Sequence, residues 1–170
     1  MVDFDVVDLG ETDHVETGEQ APDFTRPLVN AEYWADASLS DLTDESPVLL
    51  VFHSMDGAFP ATYTWKELTS RAFDETYDVQ VVGISISTPY EHKDLIAERE
   101  MDYPLFSDPA NGVAAEYGVV HDLDGMAGVT EPRPAVFLVD TDGTVRYDWV
   151  AEEWPEFPDY DEIESALADL

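Results

Sequence analysis

The chain has no cysteine. Disulfides and thiolate metal clusters are therefore excluded, as is chemistry through a sulfur nucleophile of its own. Positive charge is scarce: two lysines and five arginines face 39 Asp and Glu, for a formal charge of −32. A surface of that sign disfavours nucleic-acid phosphates. No apolar run approaches the ~20 residues of a membrane-spanning helix. Residues 1–5 show neither the basic nor the apolar segment of a secretory signal, so a cytoplasmic location without membrane contact is expected. No nucleophile elbow, P-loop or dinucleotide fingerprint occurs.

Hydrophobic residues make up 44% of the 170, with eight Phe, eight Tyr and four Trp. A disordered acidic chain would be poor in aromatics, so this one folds. Its length suits one domain that buries roughly two thirds of its unfolded surface. The acids are scattered through every segment rather than gathered in a tail. At molar salt the Debye length falls to about 3 Å and their repulsion is screened. The composition reads as that of a halophile's cytoplasmic protein.

Residues 1–17 form an acidic extension, with the alternation of an edge strand over Phe4-Asp5-Val6-Val7-Asp8-Leu9; residues 18–170 form the domain. A polar stretch runs to Leu42. Residues 47–53 are a nearly continuous apolar run, the mark of a strand covered on both faces. A helix is expected over 61–77 and a second strand over 79–86, which makes a βαβ unit with parallel strands. A polar helix follows from Thr88-Pro89 to about Glu100, then a short extended piece at 103–108. Asp108-Pro109 opens a helix that Gly118 stops. Residues 134–140 and 144–150 flank Thr141-Asp142-Gly143 as a hairpin, and Ile163, Ala166, Leu167 and Leu170 stripe a last helix. The order predicts an α/β domain, a mixed central sheet with helices on both faces.

The four histidines, His14, His53, His92 and His121, show no ligand spacing and read as isolated solvated or strand-end residues; no metal site is expected. Asp140-Thr141-Asp142-Gly143 and Asp122-Leu123-Asp124-Gly125 lack the downstream acid of a calcium loop and read as turns.

Four phrases carry a family resemblance. They are Gly18-Glu19-Gln20-Ala21-Pro22-Asp23-Phe24; Val51-Phe52-His53-Ser54 with the loop after it; the stretch from Ile84-Ser85-Ile86-Ser87-Thr88-Pro89 through Tyr103-Pro104-Leu105-Phe106-Ser107-Asp108 to Tyr117-Gly118; and Arg133-Pro134-Ala135-Val136-Phe137-Leu138-Val139-Asp140. In this order they resemble the peroxiredoxins, the AhpC/TSA (redoxin) branch of the thioredoxin-like fold. The resemblance implies that fold and a thiol-dependent peroxidase, an antioxidant oxidoreductase. It aligns the family's P-x-x-x-T-x-x-C phrase with Ser54, Ala58 and Ala61, so that alanines stand for the threonine and the peroxidatic cysteine. A second register places Pro60, Thr64 and Glu67 there. Arg133 falls on the family's catalytic arginine, beside a proline that is often cis in such folds.

Without a thiolate the peroxide chemistry has no nucleophile. The expectation is a degenerate member whose former pocket, lined by Ser54, Phe59, Thr62, Trp65, Arg133 and Pro134, serves binding. The partner would be a small anion or a protein, with a homodimer left open and no cofactor implied. Two alternatives stand beside it: an oxidoreductase using another group or a partner's thiol, and a structural building block of an oligomer.

Overall fold

A computed structural model describes residues 6–122 and 126–170. In chain order the elements are β1 (Val7–Asp8), β2 (Thr25–Val29), β3 (Trp34–Ser38), α1 (Leu39–Thr43), β4 (Val48–Phe52), α2 (Phe59–Arg71), α3 (Phe73–Thr76), β5 (Gln80–Ser85) and α4 (Pro89–Arg99). They continue with β6 (Leu105–Ser107), α5 (Gly112–Tyr117), β7 (Val120–His121), β8 (Glu131–Pro132), β9 (Ala135–Val139), β10 (Val145–Val150), β11 (Glu153–Trp154) and α6 (Tyr160–Ala168). Seven strands form one sheet in the order β10-β9-β4-β5-β6-β2-β3. The central β4, β5 and β6 are parallel, and the flanking pairs are antiparallel.

The apolar run of β4 is buried at every position. Its side chains alternate between two cores, because successive strand residues face opposite sides of a sheet. Leu49 and Val51 join Trp65 and Leu68 of α2, Leu95 and Ile96 of α4, and Ile163 and Leu167 of α6. Val48, Leu50 and Phe52 join Leu39 of α1 and Val113, Ala114 and Tyr117 of α5. The result is a three-layer α/β domain with helices on both faces.

Several boundaries differ from the periodicity. The helix expected over 61–77 is broken at Ala72, which adopts a left-handed conformation (φ 47°, ψ 53°) between α2 and α3. The helix expected from Asp108 begins at Gly112. The polar stretch before Leu42 is the β2–β3 hairpin with α1 after it. Of the expected edge strand at 4–9, Val7 and Asp8 pair with Trp154 and Glu153, not with the main sheet, while Phe4 and Asp5 lie outside the described residues. The Asp140–Gly143 turn is as read: Asp140 Oδ1 accepts from the amides of Asp142 and Thr144, and Gly143 takes φ 79°. Residues 123–125 of the second acidic turn are outside the described residues.

Candidate functional site: the turn after β4

The turn from His53 to Ala58 leaves the C-terminal edge of the parallel strands, where open α/β sheets place their ligand sites. His53 extends β4 by one ladder bond, its amide donating to the Ile84 carbonyl at 3.1 Å. Ala58 closes the turn on the Met55 carbonyl and starts α2, with no side-chain cap and a proline, Pro60, in the first turn. The Asp56 amide donates to Ser87 Oγ at 2.9 Å, while the Ser87 carbonyl accepts from Ser107 Oγ at 2.6 Å. Polar residues at the ends of β5 and β6 thus hold the turn from beneath.

The carboxylate of Asp56 is buried and gathers two histidines. His53 Nε2 lies 2.9 Å from Oδ1, and His92 Nδ1, from α4, lies 2.7 Å from Oδ2. His53 Nδ1 accepts from the indole N–H of Trp65 at 3.2 Å, which fixes the His53 proton on Nε2, facing Asp56. The other His92 nitrogen faces the Phe106 carbonyl at 2.9 Å. Both His92 nitrogens therefore meet oxygen atoms. Burial raises the Asp56 pKa, but the hydrogen bonds from His53 and His92 outweigh it and hold the carboxyl well below its usual range. Burial is also the largest influence on His53 and lowers its pKa despite the Asp56 contact.

The ligand atoms of His53, Asp56 and His92 lie within 4.8 Å of one another, close enough for an ion. A metal needs the lone pair of the nitrogen that faces it. His92 could offer one, with its other N–H on Phe106. His53 cannot while Trp65 donates to Nδ1, because a proton then occupies Nε2. As bonded, the three form a hydrogen-bonded cluster rather than a fitted metal site. They also correct the expectation of isolated histidines. His92 is fully buried, and His14 bonds to Thr12 and Asp148. The signal was present in the sequence: His92 shares an inward stripe with Leu95 and Ile96, and His53 and Asp56 lie three apart beyond a buried strand.

The expected pocket residues separate into different surroundings. Ser54, Trp65 and Pro134 are buried, and Ala61 is 2% exposed. Phe59 stacks edge-to-face with Tyr63 at 4.8 Å between centroids, and both approach Phe157. Thr62 accepts from Arg99 Nη2 at 3.3 Å. In the second register, Pro60 and Thr64 are buried and Glu67 pairs with Arg71.

Arg133 is 5% exposed, and its guanidinium donates to the carbonyls of Leu9 at 2.7 Å, Gly10 at 2.8 Å and Ala151 at 3.3 Å. It clamps the N-terminal segment to the end of β10. Among the described residues the cis peptide is Trp154–Pro155, not the bond before Pro134.

Residues 17–148 match the AhpC/TSA family. The chain is 28% identical over 145 residues to a chloroplastic 2-cysteine peroxiredoxin of Chattonella marina var. antiqua, covering 80% of this chain and 71% of that one. It is 28% identical over 148 residues to the chloroplastic peroxiredoxin Q of Gentiana triflora, covering 84% and 62%. Among curated relatives the share spanned falls to 50% for the Spinacia oleracea 2-Cys peroxiredoxin BAS1. Peroxidoxin BcpB of Mycobacterium tuberculosis superposes with a TM-score of 0.73 at 29% identity, over 91% of this chain and 96% of that one. The reduced 2-Cys peroxiredoxin of Plasmodium vivax superposes at 0.74 with 22% identity, over 91% and 96%. The fold, the family match and the four ordered phrases agree: this cysteine-free chain belongs to the AhpC/TSA family.

Proposed function

We propose that the chain is a non-peroxidatic member of this family that works by binding rather than by thiol redox chemistry, in the cytoplasm of a cell with high internal salt. The observation that carries this reading is the state of the three positions that the family resemblance assigns to peroxide. Ala61 and Ala58 supply neither thiol nor hydroxyl, and the Arg133 guanidinium is bonded to three backbone carbonyls. A binding role is supported by the aromatics left in solvent around Phe59: Tyr63 of α2 is 52% exposed, and Phe157, from the segment before α6, is 38% exposed. Exposed aromatics grouped on one face mark contact surfaces more often than isolated ones do. The same group favours a second reading, a homodimer joined through this face, which sedimentation analysis of the native chain and a Tyr63→Glu variant tests directly.

The test of the first reading is peroxide consumption by an Ala61→Cys variant beside the native chain. Restoring only the thiol is expected to give no more than the reactivity of an ordinary buried protein thiol, because no hydroxyl stands at 58 and Arg133 is engaged elsewhere. Rapid thioredoxin-coupled turnover by that variant would show the pocket competent apart from its sulfur, and would overturn the binding reading.

A further inference from the structure

Seven basic side chains share the chain with 39 acids, so a cation without an acidic partner is the unusual case. Arg26 pairs with Asp108, Arg71 with Glu67 and Asp161, and Arg146 with Asp140. Arg133 is held by carbonyls, and Lys93 donates to the Glu32 carbonyl and lies over the Trp34 ring. Lys66 and Arg99 remain, and neither forms an ion pair among the described residues. Both line the same cleft, about 350 Å³, between α2 and α4.

Trp65, Lys66 and Thr69 of α2 and Glu98 and Arg99 of α4 form its walls. Thr62, Lys66 and Thr69 follow a helical i, i+4, i+7 spacing and share one face of α2. Arg99 reaches that face through its bond to the Thr62 hydroxyl. Two cations on one cleft, against a single carboxylate, offer an anion charge-assisted hydrogen bonds.

We propose that the α2–α4 cleft is an anion-binding site for a small organic carboxylate or phosphate. Arg99 is the planar fork on the anionic head, Lys66 the second charge, and Thr69 a hydroxyl donor. Glu98 on the wall disfavours a polyanion and accepts a donor from the ligand body. This inference deepens the binding reading above and rests on it, but moves the cation from Arg133 to Arg99.

The test is a titration of the ¹⁵N-labelled native chain with inorganic phosphate and, separately, with succinate, at an ionic strength held constant with KCl. Saturating shifts centred on Lys66, Thr69 and Arg99 are expected, and the tighter of the two probes names the head group. Arg99→Gln should weaken binding by roughly tenfold or more, the loss expected of a charge-assisted hydrogen bond. Arg146→Gln, which alters a cation paired elsewhere, should leave it unchanged. Shifts that do not saturate, that KCl alone reproduces, or that survive Arg99→Gln overturn the anion site. Peroxide turnover by the native chain would overturn the non-peroxidatic reading separately, since the titration reads binding alone.

Discussion

His53 owes its state to one neighbour. The Trp65 N–H on Nδ1 places the proton toward Asp56, and burial then disfavours a second proton. The folded pKa is thus lowered beneath the unfolded value of about 6.5. Below that value the unfolded chain binds a proton that the folded chain refuses, so the contribution of this residue is full above about pH 6.5 and declines as pH falls through it. At constant high salt, the native chain should lose stability relative to a His53→Gln variant between pH 7 and pH 5. The difference has a slope of up to about 1.4 kcal/mol per pH unit for a single group. Parallel pH profiles in chemical denaturation would mean that His53 takes up its proton alike in the folded and the unfolded chain, against the bonding described here. The comparison is differential so that every contribution common to the two chains cancels.

At the scale of elements, Arg133 joins segments that hydrophobic pattern alone would not connect. Its three carbonyl contacts reach from the β8–β9 junction to residues 9 and 10 and to residue 151. An Arg133→Leu variant should retain the seven-stranded sheet but expose the β1–β11 pair, raising amide exchange at Val7 and Leu9 while β4 stays protected. Unchanged protection there would show that the clamp carries no stability. The sequence disclosed the elements that bury two faces or keep a clean stripe: β4 by its apolar run, the β9–β10 hairpin by Gly143, and α6 by Ile163 and Leu167. It concealed the β2–β3 hairpin, whose strands carry Pro27 and whose outer strand is largely exposed. It concealed the break at Ala72 as well, since a non-glycine residue in the left-handed region has no composition cue. The placing of Ala58 and Ala61 on the family's active-site phrase rests on the sequence resemblance. The sequence held the parts of the buried His-Asp-His cluster, an inward His92 and a His53–Asp56 spacing of three, but not their meeting, because only the fold brings His92 to Asp56.

For the molecule as a whole, the charge predicts a dependence of stability on salt. A net −32 on a 19.0 kDa chain repels itself at low salt and is screened within about 3 Å at molar salt. The melting temperature should therefore climb by about 10 °C or more from low salt to molar KCl. A flat profile would contradict adaptation to salt. Among the described residues no helix is long and apolar enough to cross a membrane. The central claim, that an AhpC/TSA fold operates here without thiol peroxidase chemistry, is tested most directly by thioredoxin-coupled hydrogen peroxide consumption of the native chain in molar KCl, where the fold is expected to be most stable. A rate equal to the protein-free blank is the expected result, and catalytic turnover above that blank would contradict it.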